Sequence, residues 1–242
     1  MKLIIAGASG SVATELIRQS LNIPAVTSII ALSRKPITSP PKLDYNVNAS
    51  KFQNVVLQNY DTYPEDVRAK LAGADACIWT VAITPSKSRG IPPDEVRRVC
   101  YDYTIAGLQA IFKAQGEGSR SNSSPFRFLY MSGAASERDQ SKTPPMMAEY
   151  CLMRGEVENE VLAFAHEHKG ALEACVAKPG IIVQPGEALK NAAMTAAKYT
   201  VGVPSLRVAE CAAAMLHEVI HGFTKEPLVN EDLVRIGQQA LK

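Results

Sequence analysis

Six short, almost wholly apolar runs recur along the chain, with helical patterns or polar loops between them. They are Leu3–Ala6, Ser28–Leu32, Val55–Leu57, Ala76–Ile83, Phe126–Met131 and Leu172–Ala177. A strand with one face in water alternates apolar and polar residues. A strand that is apolar throughout must be covered on both faces, as in parallel sheets. Between the runs, Ala13, Leu16, Ile17 and Leu21 fall on one side of a helix, and Pro64–Leu71, Asp94–Ala114, Met147–His168 and Val208–His221 also read as helical. Asp94, after Pro92-Pro93, reads as an N-cap, and Gly170 and Gly222 read as stops. Strand–helix alternation implies right-handed crossovers. It predicts an α/β fold, a doubly wound parallel sheet. The 242 residues suffice for one large domain and are short for two, so residues 1–242 read as a single domain. Lys35–Asn54 and Gln115–Pro125 read as polar loops, and the region after Pro179 as a small C-terminal lobe.

The formal net charge is +2, and no basic stripe is interleaved with aromatics, which speaks against nucleic acid or a membrane surface as partner. No apolar stretch approaches the roughly 18 residues of a membrane span. Gly7 interrupts the first run too early for a secretory signal, so a cytoplasmic location is expected. The five cysteines lack CxxC spacing and read as reduced thiols. His217 and His221 share a helix face, but no carboxylate completes an HExxH pattern and no metal is expected.

The first run leads into "GASGSVA", which opens a helix. In that context Gly7 suits a tight turn, and Gly10 lets a pyrophosphate approach the backbone at Ser9, Ser11 and Val12. Ala13 supplies the small residue where helix and strand pack. The spacing is GxxGxxA rather than GxGxxG, and a plain turn is the alternative. The second run ends in Ser33, Arg34 and Lys35, where a NAD site usually carries an acid. Arg34 could instead pair with a 2′-phosphate, which favours NADP(H); the alternative is a solvated basic loop.

With these residues the chain resembles the atypical branch of the short-chain dehydrogenase/reductase superfamily, with its epimerase-like and Tat-interacting-protein-like members. The resemblance rests on "GASGSVA", "LSRKP", "NYD" at 59–61, "GADACIWTVAITP" at 73–85, "YMSGAAS" at 130–136, "EYCLMRGEVE" at 149–158 and "KPGIIV" at 178–183. It implies a Rossmann-like fold whose C-terminal lobe lies on the substrate side. It further implies that Asp61 meets the adenine amino group, that Thr80, Val81 and Ala82 line the adenosine side, and that Pro179 and Gly180 border the nicotinamide.

The resemblance also pairs a serine after the fifth strand with a YxxxK helix motif. Ser132 and Tyr150 stand in those positions, and position 154 is Arg, giving YxxxR. Residues four apart project from one helix face. A phenol has an ordinary pKa of about 10. A cation about 4 Å away, at an effective dielectric near 20, favours the phenolate by about 4 kcal/mol, or roughly three pKa units. Tyr150 would then protonate a carbonyl oxygen as hydride arrives from NADPH, and Ser132 would donate a hydrogen bond to that oxygen. Arg154 keeps the charge but is planar and does not deprotonate. The alternatives are a packed Tyr150 and an Arg154–Glu158 ion pair.

The function expected is an NADPH-dependent oxidoreductase acting on a small carbonyl substrate. The rival is a non-catalytic NADP(H)-binding redox sensor that contacts a protein partner. Specificity is expected in Ile83–Ile91, Gly133–Met147 and Val183–Val203. The helices at 94–114 and 147–168 are candidate faces for a homodimer.

Overall fold

The computed structural model describes residues 1–37, 49–116, 124–185 and 204–242. Its first half contains β1 (Lys2–Ala6), α1 (Ser11–Asn22), β2 (Ser28–Ser33), β3 (Phe52–Val56), α2 (Glu65–Leu71), β4 (Ala76–Trp79), α3 (Pro85–Ser88), α4 (Pro93–Arg97) and α5 (Tyr103–Ala114). The second half contains β5 (Phe126–Met131), α6 (Ala148–Glu167), β6 (Leu172–Lys178), β7 (Ile181–Val183), β8 (Ser205–Arg207), α7 (Val208–His221), β9 (Leu228–Val229) and α8 (Asn230–Ala240). Seven strands form one sheet in the order β3-β2-β1-β4-β5-β6-β9. Every pair in it is parallel. The chain winds outward twice from β1, so the sheet is doubly wound and Rossmann-like.

The continuous apolar runs are explained by burial on both faces. In β1, Leu3 and Ile5 join the core under α1 and α7, while Ile4 and Ala6 join the core under α2, α5 and α6. All four are fully buried. Each isoleucine or leucine so placed contributes about 1.5 to 3 kcal/mol. Trp79 fills the second layer, edge-on to Tyr60, and packs over Gly107, where a Cβ would lie 2.2 Å from the indole.

Several boundaries differ from the sequence reading. The third strand starts at Phe52, within the expected loop, and its exposure varies because it is the sheet edge. The fourth strand stops at Trp79 rather than Ile83. Thr80 still donates its N–H to the Ala6 carbonyl at 3.0 Å, but β1 has by then turned away at Gly7. The expected helix 94–114 is divided, with a π-helical turn at Arg98–Asp102 between α4 and α5. Its N-cap is Pro92, and Asp94 lies in the first turn of α4 with no side-chain cap made there. Gln115 is not a loop residue. It is buried, accepts from the Ala74 N–H, and donates to the Leu71 and Ile111 carbonyls.

The region after Pro179 divides in two. β7 and β8 form a small parallel sheet of their own. The chain then returns to the main core through α7, with Cys211, Met215 and Val219 fully buried, and β9 extends the sheet beside β6. Most of the third specificity segment, at 186–203, lies outside the described residues. All five cysteines are free and buried.

Candidate functional site

β1 ends against the glycine turn. Gly7 has φ +80°, and a Cβ there would sit 2.7 Å from Thr80 Oγ1 and 3.1 Å from the Val81 nitrogen. The turn therefore requires glycine twice, for its backbone angle and for the close approach of the chain after β4. The Gly7 and Ala8 N–H groups both donate to the Leu32 carbonyl at 3.1 Å, which ties the turn to the end of β2. Gly10 is the N-cap of α1 and no side chain caps the helix. Ser9, Gly10 and Ser11 are exposed, while Val12 and Ala13 are buried against the sheet. The first turn of a 12-residue helix thus carries no side-chain cap and lies among exposed residues, where the helix dipole favours an anion.

Past β2, Arg34 and Lys35 are exposed. Ser33 is not available to a ligand in the same way. Its buried hydroxyl donates to the Lys35 carbonyl at 2.7 Å and accepts from Asn54 Nδ2 at 2.8 Å. Asp61 is exposed beyond β3, and Thr80, Val81 and Ala82 are half-buried beside the glycine turn. Pro179 is buried, and its carbonyl accepts from the Ala134 N–H. Gly180 donates to Asn230 Oδ1 at 3.0 Å, and a Cβ on it would lie 1.9 Å from the Pro204 carbonyl oxygen. That glycine is required by the seam between β7 and β8, whatever it borders.

The hydroxyls named for catalysis hold different partners from those expected. Ser132 Oγ donates to Glu158 Oε1 at 2.5 Å and contacts Ser136 Oγ at 2.9 Å. Tyr150 donates its hydroxyl to the Ile83 carbonyl at 2.9 Å. Arg154 is 3% exposed; its Nη2 donates to the Met131 carbonyl at 2.7 Å, and its guanidinium lies 4.9 Å above the Tyr130 ring. Its Nη1 and the Tyr130 hydroxyl are buried without hydrogen-bond partners. The Arg154–Glu158 pair does not form. Glu158, fully buried, instead accepts from Arg138 Nε at 2.7 Å and Lys178 Nζ at 3.0 Å, besides Ser132. The expected lowering of the tyrosine does not occur either. Burial outweighs the neighbouring Arg154 and pushes the Tyr150 pKa up to about 12.

The sequence reading missed the Glu158–Lys178–Arg138 cluster. Glu158 stands two helical turns after Tyr150 and one after Arg154, so its helix face was legible. That it would meet β5 and β6 rather than its own helix neighbour depends on the sheet. Ile83 was also missed as an acceptor: its N–H donates to Cys100 Sγ at 3.3 Å while its carbonyl holds Tyr150, so this loop is clamped from both sides.

No family model matches the chain. One curated relative, the leucinostatins biosynthesis cluster protein T of Purpureocillium lilacinum, is 31% identical over 134 residues, covering 54% of this chain and 42% of that protein. The match thus spans less than half of that relative. Solved structures match over nearly the whole of this chain. The reductase domain of PhqB from Penicillium fellutanum superposes with TM-score 0.69 at 18% identity, covering 96% of this chain and 67% of that one. The dTDP-glucose 4,6-dehydratase of Streptomyces venezuelae, solved with NAD bound, gives 0.66 at 15% identity over 100% and 81%. The UDP-glucose 4-epimerase of Thermotoga maritima gives 0.65 at 10% identity over 99% and 82%. At these identities the likeness is one of fold.

Proposed function

We propose that the chain is an NADP(H)-binding member of the atypical short-chain dehydrogenase/reductase group and that it reduces a small carbonyl compound. One observation carries the reading: the open glycine turn at the N-terminus of α1, tied through the Leu32 carbonyl to the strand that delivers exposed Arg34. The fold neighbours include a dehydratase solved with NAD, which supports a nicotinamide dinucleotide; the choice of NADP(H) rests on Arg34. Ser9, Gly10, Ser11 and Val12 would hold the pyrophosphate, and Arg34 with Lys35 the 2′-phosphate. Among the described residues Arg34 has no hydrogen-bond or ion-pair partner to give up. Asp61, Thr80, Val81 and Ala82 would receive the adenosine, and Pro179 with Gly180 the nicotinamide.

When bound, the reduced nicotinamide supplies a hydride to the carbonyl carbon. Tyr150 then has to supply a proton to the oxygen. A phenol of pKa about 12 is fully protonated at neutral pH and is still far more acidic than an alcohol. At pH 7 the hydroxyl thus rests in the acid form that reduction needs, and the phenolate base is scarce. Ser132 can assist the carbonyl only if its proton leaves Glu158, and Tyr150 only if it leaves Ile83.

Those same two hydrogen bonds favour the second reading, an NADP(H)-binding regulatory protein without turnover. Trp79 gives the first test. Its fluorescence, followed during titration with NADPH and then NADH, should show saturable quenching and strong preference for NADPH. Binding of neither dinucleotide would end both readings. With binding established, carbonyl reduction that disappears in Tyr150→Phe selects the reductase; no reduction of any carbonyl by the native protein selects the regulator.

A further inference from the structure

A cavity of about 320 Å³ opens beside Tyr150, between the start of α6 and the segment running from α3 into α4. Its apolar lining comes from Ile91, Val96 and Met153 together with Tyr150 itself. Its charged lining is uneven. Arg97 is paired with Glu156, which does not line the cavity, through Nη1 and Nη2 at 2.9 and 3.0 Å. Asp94 and Glu149, each exposed in the first turn of its helix, make no side-chain hydrogen bond or ion pair among the described residues. The cavity therefore presents an apolar body with two unpaired carboxylates and no unpaired cation among its lining residues.

From this charge complementarity we propose that the cavity beside Tyr150 binds a hydrophobic amine, with the apolar part against Met153 and Val96 and the ammonium on Asp94 and Glu149. The inference rests on the reductase reading insofar as it names the class of substrate that reaches Tyr150: a carbonyl compound carrying a cationic nitrogen on an apolar skeleton. A pocket of this kind takes its affinity from the apolar walls and its orientation from a few polar groups. Partly exposed carboxylates contribute modestly one by one, so together they should favour a cation over a neutral isostere by about tenfold. Anionic ligands are rejected by the same groups.

The test uses three probes of one shape on the full chain at neutral pH: 2-phenylethylamine, 2-phenylethanol and phenylacetate. Binding is measured by calorimetry with and without NADPH. The amine should bind about tenfold more tightly than the alcohol, and the carboxylate most weakly. The double variant Asp94→Asn, Glu149→Gln should erase that order and leave NADPH affinity unchanged. Both side chains are exposed, so the variant keeps its core. A carboxylate that merely stabilises its own helix would leave the order untouched. Equal affinities for the three probes, an order that survives the double variant, or absence of binding at millimolar concentration overturns the proposal. Amine preference without NADPH binding would sink the reductase reading and leave the cavity assignment standing; NADPH binding without amine preference would do the reverse.

Discussion

Two regions at the carboxyl end of the sheet are built on opposite plans. At Gly10 no side-chain hydrogen bond caps the first turn of α1, and exposed Arg34 has no hydrogen-bond or ion-pair partner among the described residues. Around Ser132 and Tyr150 the polar groups are already matched: Ser132 to Glu158, Tyr150 to Ile83, Glu158 to Arg138 and Lys178. A ligand proposed for the first region would displace no side-chain cap of α1. The second holds itself together, and a substrate docking on Ser132 or Tyr150, as proposed, would have to exchange partners with it. The difference teaches that a motif can keep its serine, its tyrosine and its helix face while its hydrogen bonds go elsewhere.

Predictions sharpen this contrast. The largest effect should come from the matched region. Glu158→Leu leaves the Lys178 ammonium without a carboxylate, while Arg138 keeps its ion pair with Glu226, and should cost about 3 to 5 kcal/mol in urea unfolding. A loss under about 1 kcal/mol would mean that the cluster is not a structural unit. Gly7→Ala comes next. A left-handed backbone angle costs roughly 1 to 2 kcal/mol for a residue with a Cβ. The clash with Thr80 adds to it, because Thr80 Oγ1 is held on the Ala6 carbonyl at 2.7 Å and cannot swing away freely. Stability and dinucleotide binding should fall together in that variant.

Arg34→Ala acts on the open region alone. It should leave unfolding unchanged and weaken NADPH by about ten- to a hundredfold, the range of a charge-assisted hydrogen bond, with little effect on NADH. Equal weakening of both dinucleotides would remove the 2′-phosphate assignment. Tyr150→Phe should cost no more than about 1 kcal/mol in folding and leave NADPH affinity unaltered while abolishing any reductase activity. The pH dependence has a definite sign. Below the unfolded-state value near 10, Tyr150 is protonated in both states and contributes no slope. As pH rises from about 10 towards about 12, the unfolded chain releases the proton first and stability falls. Alkaline unfolding scans should show that slope reduced in Tyr150→Phe, and reduction rates should not decline between pH 7 and pH 10 for want of protonated tyrosine.

Much of this was legible in the residues. The alternation of apolar runs with helical patterns gave the parallel sheet, and Leu3–Ala6 buries alternate side chains in two separate cores as such a run must. The last strand escaped notice because β9 has only two residues, too few to carry a period. β4 was read four residues too long, since "TVAI" stays apolar after the ladder partner has turned away.

The sequence by itself determined the fold class, the glycine turn after β1 and the helix face shared by Tyr150, Arg154 and Glu158. Those follow from local periodicity and from backbone angles only glycine accepts readily. Tertiary structure alone decided what those side chains touch. The partner of Glu158 is set by where β5 and β6 end, and the partner of Tyr150 by a loop 67 residues earlier in the chain. Hydrogen bonds select by distance and direction in space, and a one-dimensional pattern carries neither across that separation.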